Sequence, residues 1–475
     1  MTLDTILILL ALLLGFYVCW NIGANDVANA IGTSVGSGAL TLKQAVILAG
    51  ILEFCGAYFF GGNVTETLES GIVNPELFSQ HPMDFVYGML AALLATGVWL
   101  QIASFFGWPV STTHSIVGAV AGFGIVLGGV DAIHWAEVGS IVASWVISPL
   151  LGGGLAYFIF VFLRSKIFYT SNPLHSAKKV TPYLVFLLFF LLPLIILFNG
   201  LKNIGLHFPV FATIGIAIGI GLLMALLSLY FLTKVKEEKK ESESGGQNIQ
   251  VSIGLKKALR HLQRVEATSD LGPLHDKVHS LLKDVEELSN TVEQKKSYLS
   301  QSGEYCQVEK IFVWLQIVTA CFMAFAHGSN DVANAIGPLA AIFNVIKNKT
   351  LLLTTTVPHW MLVLGGVGIV FGLATWGWRV IETVGKRITE LTPTRGFAAE
   401  FGAATTVLLA SKLGLPISTT HTLVGAVLGV GFARGIGAIN LNTIRDILLA
   451  WIITVPAGTA LAVIFFYIIR AIFSG

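Results

Sequence analysis

Charge is scarce in this chain. Lys, Arg, Asp and Glu make up 12% of it, against about 25% for a typical soluble domain, and the 54% of residues that are hydrophobic exceed what a soluble core requires. Such charge as exists gathers in one place. The 78 residues from Thr233 to Lys310 hold 13 Lys/Arg and 13 Asp/Glu, which is 26 of the 56 charged residues. Two membrane halves, 1–232 and 311–475, are therefore expected to flank a charged, helical insert, 233–310. A net charge of +2, with no basic stripe outside the insert, gives no reason to expect nucleic acid. Cysteine is also rare. Cys19, Cys55, Cys306 and Cys321 form no CxxC pair, and three lie in apolar segments, so neither a disulfide framework nor a metal cluster is expected. No Lys or Arg precedes the first apolar run, which reads as a first membrane helix and not as a removable signal.

What is present in abundance is apolar sequence in long runs. With about 20 residues needed to cross a bilayer, segments fall near 5–32, 42–61, 84–106, 108–129, 136–163, 182–198 and 208–232, then 311–336, 351–376, 396–411, 414–436 and 446–471. The expected fold is an all-α polytopic membrane protein of about 12 segments. Short cytoplasmic loops are enriched in Lys and Arg. With both termini outside, Lys43, Arg164, Lys166, Lys178, Lys179, Arg379, Lys386, Arg387, Arg395, Arg434 and Arg445 fall inside, against Lys202, Lys347, Lys349, Lys412 and Arg470 outside. This places the insert in the cytoplasm. The sequons at Asn63 and Asn348 then lie outside, where they matter only in a glycosylating host.

Two polar elements occur twice. Gly23 to Gly32 reads GANDVANAIG and Gly328 to Gly337 reads GSNDVANAIG; Pro109 to Gly122 reads PVSTTHSIVGAVAG and Pro416 to Gly429 reads PISTTHTLVGAVLG. The offsets, 305 and 307, keep one register. In the topology above the two copies run in opposite directions, which gives two inverted-topology repeats with broken or re-entrant helices.

The chemistry of each element follows from its residues. Pro109 and Pro416 end what precedes them, and Ser111 and Ser418 can cap helices that begin in the following Thr pair. Exposed N–H groups and a positive helix end suit an anion, and the hydroxyls of Thr112, Thr113, Thr419 and Thr420 suit a tetrahedral oxyanion. A packed membrane-helix cap is the plainer reading of either copy alone. Glycine near Gly23 and Gly328 can unwind the helix and free carbonyl oxygens, while Asp26 with Asn29 and Asp331 with Asn334 share a face. Carboxylate, amide and carbonyl oxygens suit a hard monovalent cation; an interhelical hydrogen-bond network is the alternative. An intramembrane hydrolase is disfavoured because its Ser, His and Asp would each be duplicated. A passive channel has no need of paired cation sites.

These segments closely resemble the inorganic phosphate transporter family, in particular its sodium-dependent symporter branch. The resemblance covers both membrane halves and rests on four motif copies in order. It implies sodium-coupled uptake of inorganic phosphate by alternating access through a plasma or inner membrane, without an enzymatic activity or a cofactor beyond sodium, in a protein that is often a homodimer. By position, Ser111, Thr112, Thr113, Ser418, Thr419 and Thr420 would hold phosphate, and Asp26, Asn29, Asp331 and Asn334 would hold sodium. Glu53, Gln101 and Glu400 fall on segments resembling the family's other polar positions. Proton-using members carry histidine before the motif aspartate, where Asn25 and Asn330 stand here, yet His327 lies three residues before Asn330. Proton coupling, or another oxyanion such as sulfate, is the alternative. His114 and His421 read equally as packed residues or phosphate contacts. In the insert, Leu274, Val278, Leu281, Val285, Leu288 and Val292 read as a seam of a coiled coil or hairpin, or a stripe facing Leu255, Leu259 and Leu262; Glu241 to Gln247 reads as a linker.

Overall fold

The computed structural model describes residues 2–62, 64–65, 71–79, 81–198, 208–235, 245–266, 275–300, 303–349 and 357–473. These are helical, with no strand among them. Of the expected linker, 241–244 lie outside the described residues, as do Asn63, Leu274 and Thr350, while Gly245 to Gln247 are helical and so are not linker. The helices are α1 Leu3–Gly36, α2 Leu42–Phe60, α3 Pro82–Phe106, α4 Thr112–Gly128, α5 Trp135–Leu163, α6 Pro173–Phe198, α7 Val210–Thr233, α8 Gly245–Glu266, α9 His275–Ser300, α10 Gly303–Asp331, α11 Ala333–Asn348, α12 His359–Thr375, α13 Trp378–Glu382, α14 Pro393–Lys412, α15 Thr419–Arg434 and α16 Leu441–Phe473. Every apolar segment expected from the sequence overlaps a helix, with residues 351–356 of one of them outside the described residues. Among the described residues eight helical stretches are long and apolar enough to cross a membrane, α10 and α11 counting as one (Glu304–Asn348), and nine if α12 and the helical stretch Trp378–Arg387, which meet at a 66° bend, are taken as one broken span.

Two compact units are distinguished. The first comprises Met1–Phe160, Leu188–Gly221 and Val313–Gly475. Its centre is built from the duplicated elements: residues 21–34 of α1 and 326–342 of α10 and α11 are buried without a break. A helix buried on all sides normally shows apolar residues all round. Here small and polar residues take that place, because the helices approach too closely for larger side chains. A Cβ on Gly23 would lie 2.0 Å from the Ile369 carbonyl oxygen, and one on Gly372 1.9 Å from that of Trp20. Between α2 and α10, likewise, a Cβ on Gly328 would lie 2.1 Å from the Glu53 carbonyl oxygen, and one on Gly56 2.1 Å from that of Phe325.

The expected unwinding at Gly23 and Gly328 is therefore not what these glycines do. α1 is continuous through Gly23 and Asp26, α10 is continuous through Gly328, and the interruption falls at Val332, just after Asp331. Close backbone packing, which only glycine permits here, is the physical role they fill.

The second unit comprises Val161–Leu187 and Leu222–Phe312. In it α8 and α9 pack side by side. On α9 Leu282 and Ser289 are buried and Val278 and Val285 half-buried, while Leu281 and Leu288 are exposed; Leu274 and the side chain of Val292 lie outside what is described. The stripe is thus rotated from the expected seam, and on α8, which packs against α9, Leu255, Leu259 and Leu262 are half-buried.

Candidate functional site

The site forms where α1 and α10 meet the starts of α4 and α15. After Gly107 and Gly414, both left-handed at φ 69° and 67°, the chain runs extended into each Pro-x-Ser segment. Ser111 then caps α4, accepting the His114 N–H at 3.2 Å, and Ser418 caps α15, accepting the His421 N–H at 3.1 Å. The expected caps are present in both halves. The N–H groups of Thr112, Thr113, Thr419 and Thr420 open their helices and have no partner one turn back.

Asn25 and Asn330 hold the extended segments in place. Asn25 Nδ2 donates to Ser104 Oγ at 3.1 Å and to the Trp108 carbonyl at 3.0 Å; Asn330 Nδ2 donates to Ser411 Oγ at 3.1 Å and to the Leu415 carbonyl at 3.3 Å. The same two contacts recur in both halves, between positions related by the repeat offsets of 305 and 307. In the first half Asn25 Oδ1 also accepts the Val110 N–H at 3.2 Å.

The two helix starts are tied across the halves. Thr113 Oγ1 donates to the Ile417 carbonyl at 2.9 Å, and Thr420 Oγ1 lies 3.0 Å from both the Val110 carbonyl and Asp26 Oδ1. Thr112 donates to Asp26 Oδ2, and Thr419 donates to Asp331 Oδ2 at 2.6 Å. Asn29 Nδ2 reaches Asp26 Oδ1 at 3.0 Å and Thr420 Oγ1 at 2.8 Å, while Asn334 Nδ2 reaches Thr113 Oγ1 at 3.3 Å. All four Thr hydroxyl protons are thereby committed to carboxylates or carbonyls. Their lone pairs, and those of nearby buried oxygens, are less well served: Asn29 Oδ1, Asn330 Oδ1, Asp331 Oδ1 and Asn334 Oδ1 accept no hydrogen bond among the described residues.

Asp26, His327 and Asp331 offer ligand atoms within 4.8 Å of one another, all buried. His327 Nε2 lies 3.0 Å from Asp331 Oδ2 and Nδ1 lies 3.2 Å from Glu53 Oε1, ion-pair distances without the alignment of a strong hydrogen bond. Glu53 is thus joined to the cluster through His327, a link the sequence did not reveal because Glu53 lies on a helix far away in the chain. Gln101 stands apart, half-buried and accepting from the hydroxyl of Tyr17, which lies nine residues before Asp26 on α1. Glu400 also lies outside this cluster, among hydroxyl groups.

His114 and His421 are packed residues. Their ring centroids are 4.3 Å apart, with Trp145 3.7 Å from His114 and Trp451 3.6 Å from His421. Trp451 Nε1 donates to the Pro109 carbonyl at 3.1 Å, a second brace on the start of α4. Neither tryptophan carries a motif, and nothing in the linear sequence marks them.

A model of the phosphate transporter family matches residues 22–462. The chain is 48% identical over 470 residues to a protein of Chlamydia pneumoniae named as a phosphate permease, covering 98% of this chain and 99% of that one. It is 42% identical to the chloroplastic inorganic phosphate transporter 2-1 of Arabidopsis thaliana, over 98% of this chain and 72% of the plant protein. A solved structure entitled the sodium-dependent phosphate transporter superposes with a TM-score of 0.79 at 36% identity, covering 98% of this chain and 99% of that one.

Proposed function

The chain belongs to the phosphate transporter family, and from that premise we propose that it carries inorganic phosphate into the cell together with sodium ions, by alternating access. The observation that carries the sodium reading is the set of four buried oxygens, Asp331 Oδ1 and the amide oxygens of Asn29, Asn330 and Asn334, that have no donor among the described residues. Buried acceptors are normally satisfied, and hard oxygens clustered at two carboxylates are the ligand set of a hard cation. Asp26 with Asn29, and Asp331 with Asn334, are the proposed sodium ligands, with Asn25 and Asn330 as braces behind them.

Phosphate is assigned to the facing starts of α4 and α15. Ser111, Thr112, Thr113, Ser418, Thr419 and Thr420 supply it with first-turn N–H groups and the helix ends; the Thr hydroxyls must release Asp26, Asp331 and the two carbonyls before they donate to it. Sodium bound at the carboxylates would make that release favourable, since a cation takes over the carboxylate charge and prefers hydroxyl lone pairs. This couples the two ligands in one step.

The electrical work supports more than one cation. Each charge costs about 2.3 kcal/mol per 100 mV, so two sodium ions cancel the work of importing a phosphate dianion and a third gains from it.

Proton coupling is the second reading, favoured by His327 between Glu53 and Asp331. The test is phosphate uptake into liposomes under an inward sodium gradient or an inward proton gradient. Saturable sodium-driven uptake, abolished by Asp26→Asn and with a raised KM in Ser418→Ala, is the expected result. Uptake driven by protons alone would replace the sodium assignment, and uptake of sulfate in place of phosphate would overturn the substrate.

A further inference from the structure

A cavity of about 440 Å³ lies between the end of α1, residues 385–391 and the loop joining α15 to α16, and none of its lining belongs to the duplicated elements. At one side α1 crosses the chain closely: a Cβ on Gly36 would lie 2.1 Å from the Gly385 carbonyl oxygen. Ile388, Leu391 and Ile439 give the cavity a buried apolar wall, while Lys386 and Arg387 line it with exposed cations. Three carbonyl oxygens of the lining are already taken. That of Ile388 accepts the Asn440 N–H at 3.0 Å, that of Ala438 accepts the Thr389 hydroxyl at 2.8 Å, and that of Glu390 accepts from Arg395 and Arg434 at 3.0 and 2.9 Å. The same two arginines occupy Glu390 Oε2. The Lys386 ammonium has three donors and no partner among the described residues. Arg387 meets Glu382 at 3.3 Å in an exposed pair, which is readily exchanged for another anion.

Four cations, Lys386, Arg387, Arg395 and Arg434, and two carboxylates, Glu382 and Glu390, line the cavity or pair with its lining. Two positive charges are left over. The cytoplasmic excess of Lys and Arg in the expected topology accounts for their sign, but not for a cavity among them. The duplication supplies a control within the same chain. At the offset of 307 the counterparts of Lys386, Arg387, Glu390, Arg395 and Arg434 are Ser79, Gln80, Met83, Gly88 and Leu127. The duplicated fold therefore does not require this set of charges.

We infer that this cavity binds a small organic phosphate through its phosphoryl group, at a site separate from the starts of α4 and α15 and without sodium. A phosphomonoester carries about −1.5 to −2 at pH 7, which matches the two unbalanced charges, whereas a carboxylate would match one and a cation would be repelled. Lys386 and Arg387 hold the phosphoryl oxygens by charge-assisted hydrogen bonds. The carbon skeleton lies against Ile388, Leu391 and Ile439. The volume falls in the range of about 300–1,000 Å³ typical of sites for small organic ligands. A soluble phosphomonoester and the headgroup of phosphatidic acid offer the same chemistry.

The test is equilibrium binding of radiolabelled AMP and, separately, glycerol 3-phosphate to the purified full-length protein in sodium-free buffer, with Lys386→Gln, Arg387→Gln and Lys386→Arg. Saturable binding of at least one probe is expected. Either glutamine variant is expected to weaken it about tenfold, as loss of one charge-assisted hydrogen bond does, and Lys386→Arg is expected to retain it. Both residues are exposed, so all three variants are expected to keep the melting temperature and the phosphate uptake of the unsubstituted protein. Displacement of the probe by nanodiscs containing phosphatidic acid, but not by phosphatidylcholine alone, would assign the phosphoryl group to a lipid; no displacement would assign it to a soluble compound. Absence of saturable binding of both probes overturns the inference, as does binding that both glutamine variants leave unchanged. Failure of the sodium-coupled reading shows elsewhere, as phosphate uptake that ignores a sodium gradient, and leaves this sodium-free binding untouched.

Discussion

At the scale of single residues the site is a matter of which atoms are left over. Asp26 is served by Thr112, Thr420 and Asn29, whereas Asp331 Oδ1 and the side-chain oxygens of Asn29, Asn330 and Asn334 accept no hydrogen bond among the described residues. Asp26, Asp331 and their asparagines were legible in the sequence because each is a polar residue in an apolar run and each occurs twice. His327, Trp145 and Trp451 were not legible as site residues, because each meets a partner from a different helix. Glycine roles were misread for a related reason: a backbone contact between helices leaves no trace in linear spacing. That contact is testable. Gly23→Ala would place a Cβ 2.0 Å from the Ile369 carbonyl oxygen and is expected to cost about 3 kcal/mol, seen as a lower melting temperature. Gly154→Ala, with nothing within 4 Å of its Cβ, is expected to be neutral or to raise stability by about 0.5–1 kcal/mol.

Whole elements were easier to read than contacts. Proline and a hydroxyl residue announced both capped starts, and helices begin at Thr112 and Thr419 as the caps require. Hydropathy located the helices, since burial in lipid or in protein both demand apolar runs; it could not show the break at Val332, where no proline or glycine stands. Outside the membrane segments, the turn before α14 is held by charge. Glu390 Oε2 lies 3.2 Å from Arg395 Nη1 and 3.1 Å from Arg434 Nη2, tying the first turn of α14 to the last of α15. Partial burial pushes the Glu390 carboxyl up, but the two guanidinium groups outweigh it and hold the carboxyl below the ordinary glutamate range. A depressed folded value contributes stability at pH above the unfolded value, and that contribution disappears as pH falls through the folded one. Glu390→Gln is therefore expected to melt slightly lower than the unsubstituted protein at neutral pH, and the two melting curves are expected to converge in strong acid. A gap that persists or widens in acid would contradict the assignment.

At the scale of the whole molecule, loop charge gives an expected orientation that labelling can check. Single cysteines at Lys283, on α9, and at Lys347, at the end of α11, are expected to react with a membrane-impermeant thiol reagent from opposite sides, Lys283→Cys from the cytoplasm and Lys347→Cys from outside, with the native cysteines replaced. Reaction of both from one side would overturn the topology. The crossed bonds at the centre have a further bearing on how the two halves came to read alike. Thr420 reaches Asp26, and Thr113 reaches the Ile417 carbonyl, so each copy of the Ser-Thr-Thr-His segment is shaped by the other. A change in one alters the environment of its twin, and neither can drift alone. Ten of fourteen positions still match between Pro109–Gly122 and Pro416–Gly429, as expected of two texts that must be read against each other to make sense.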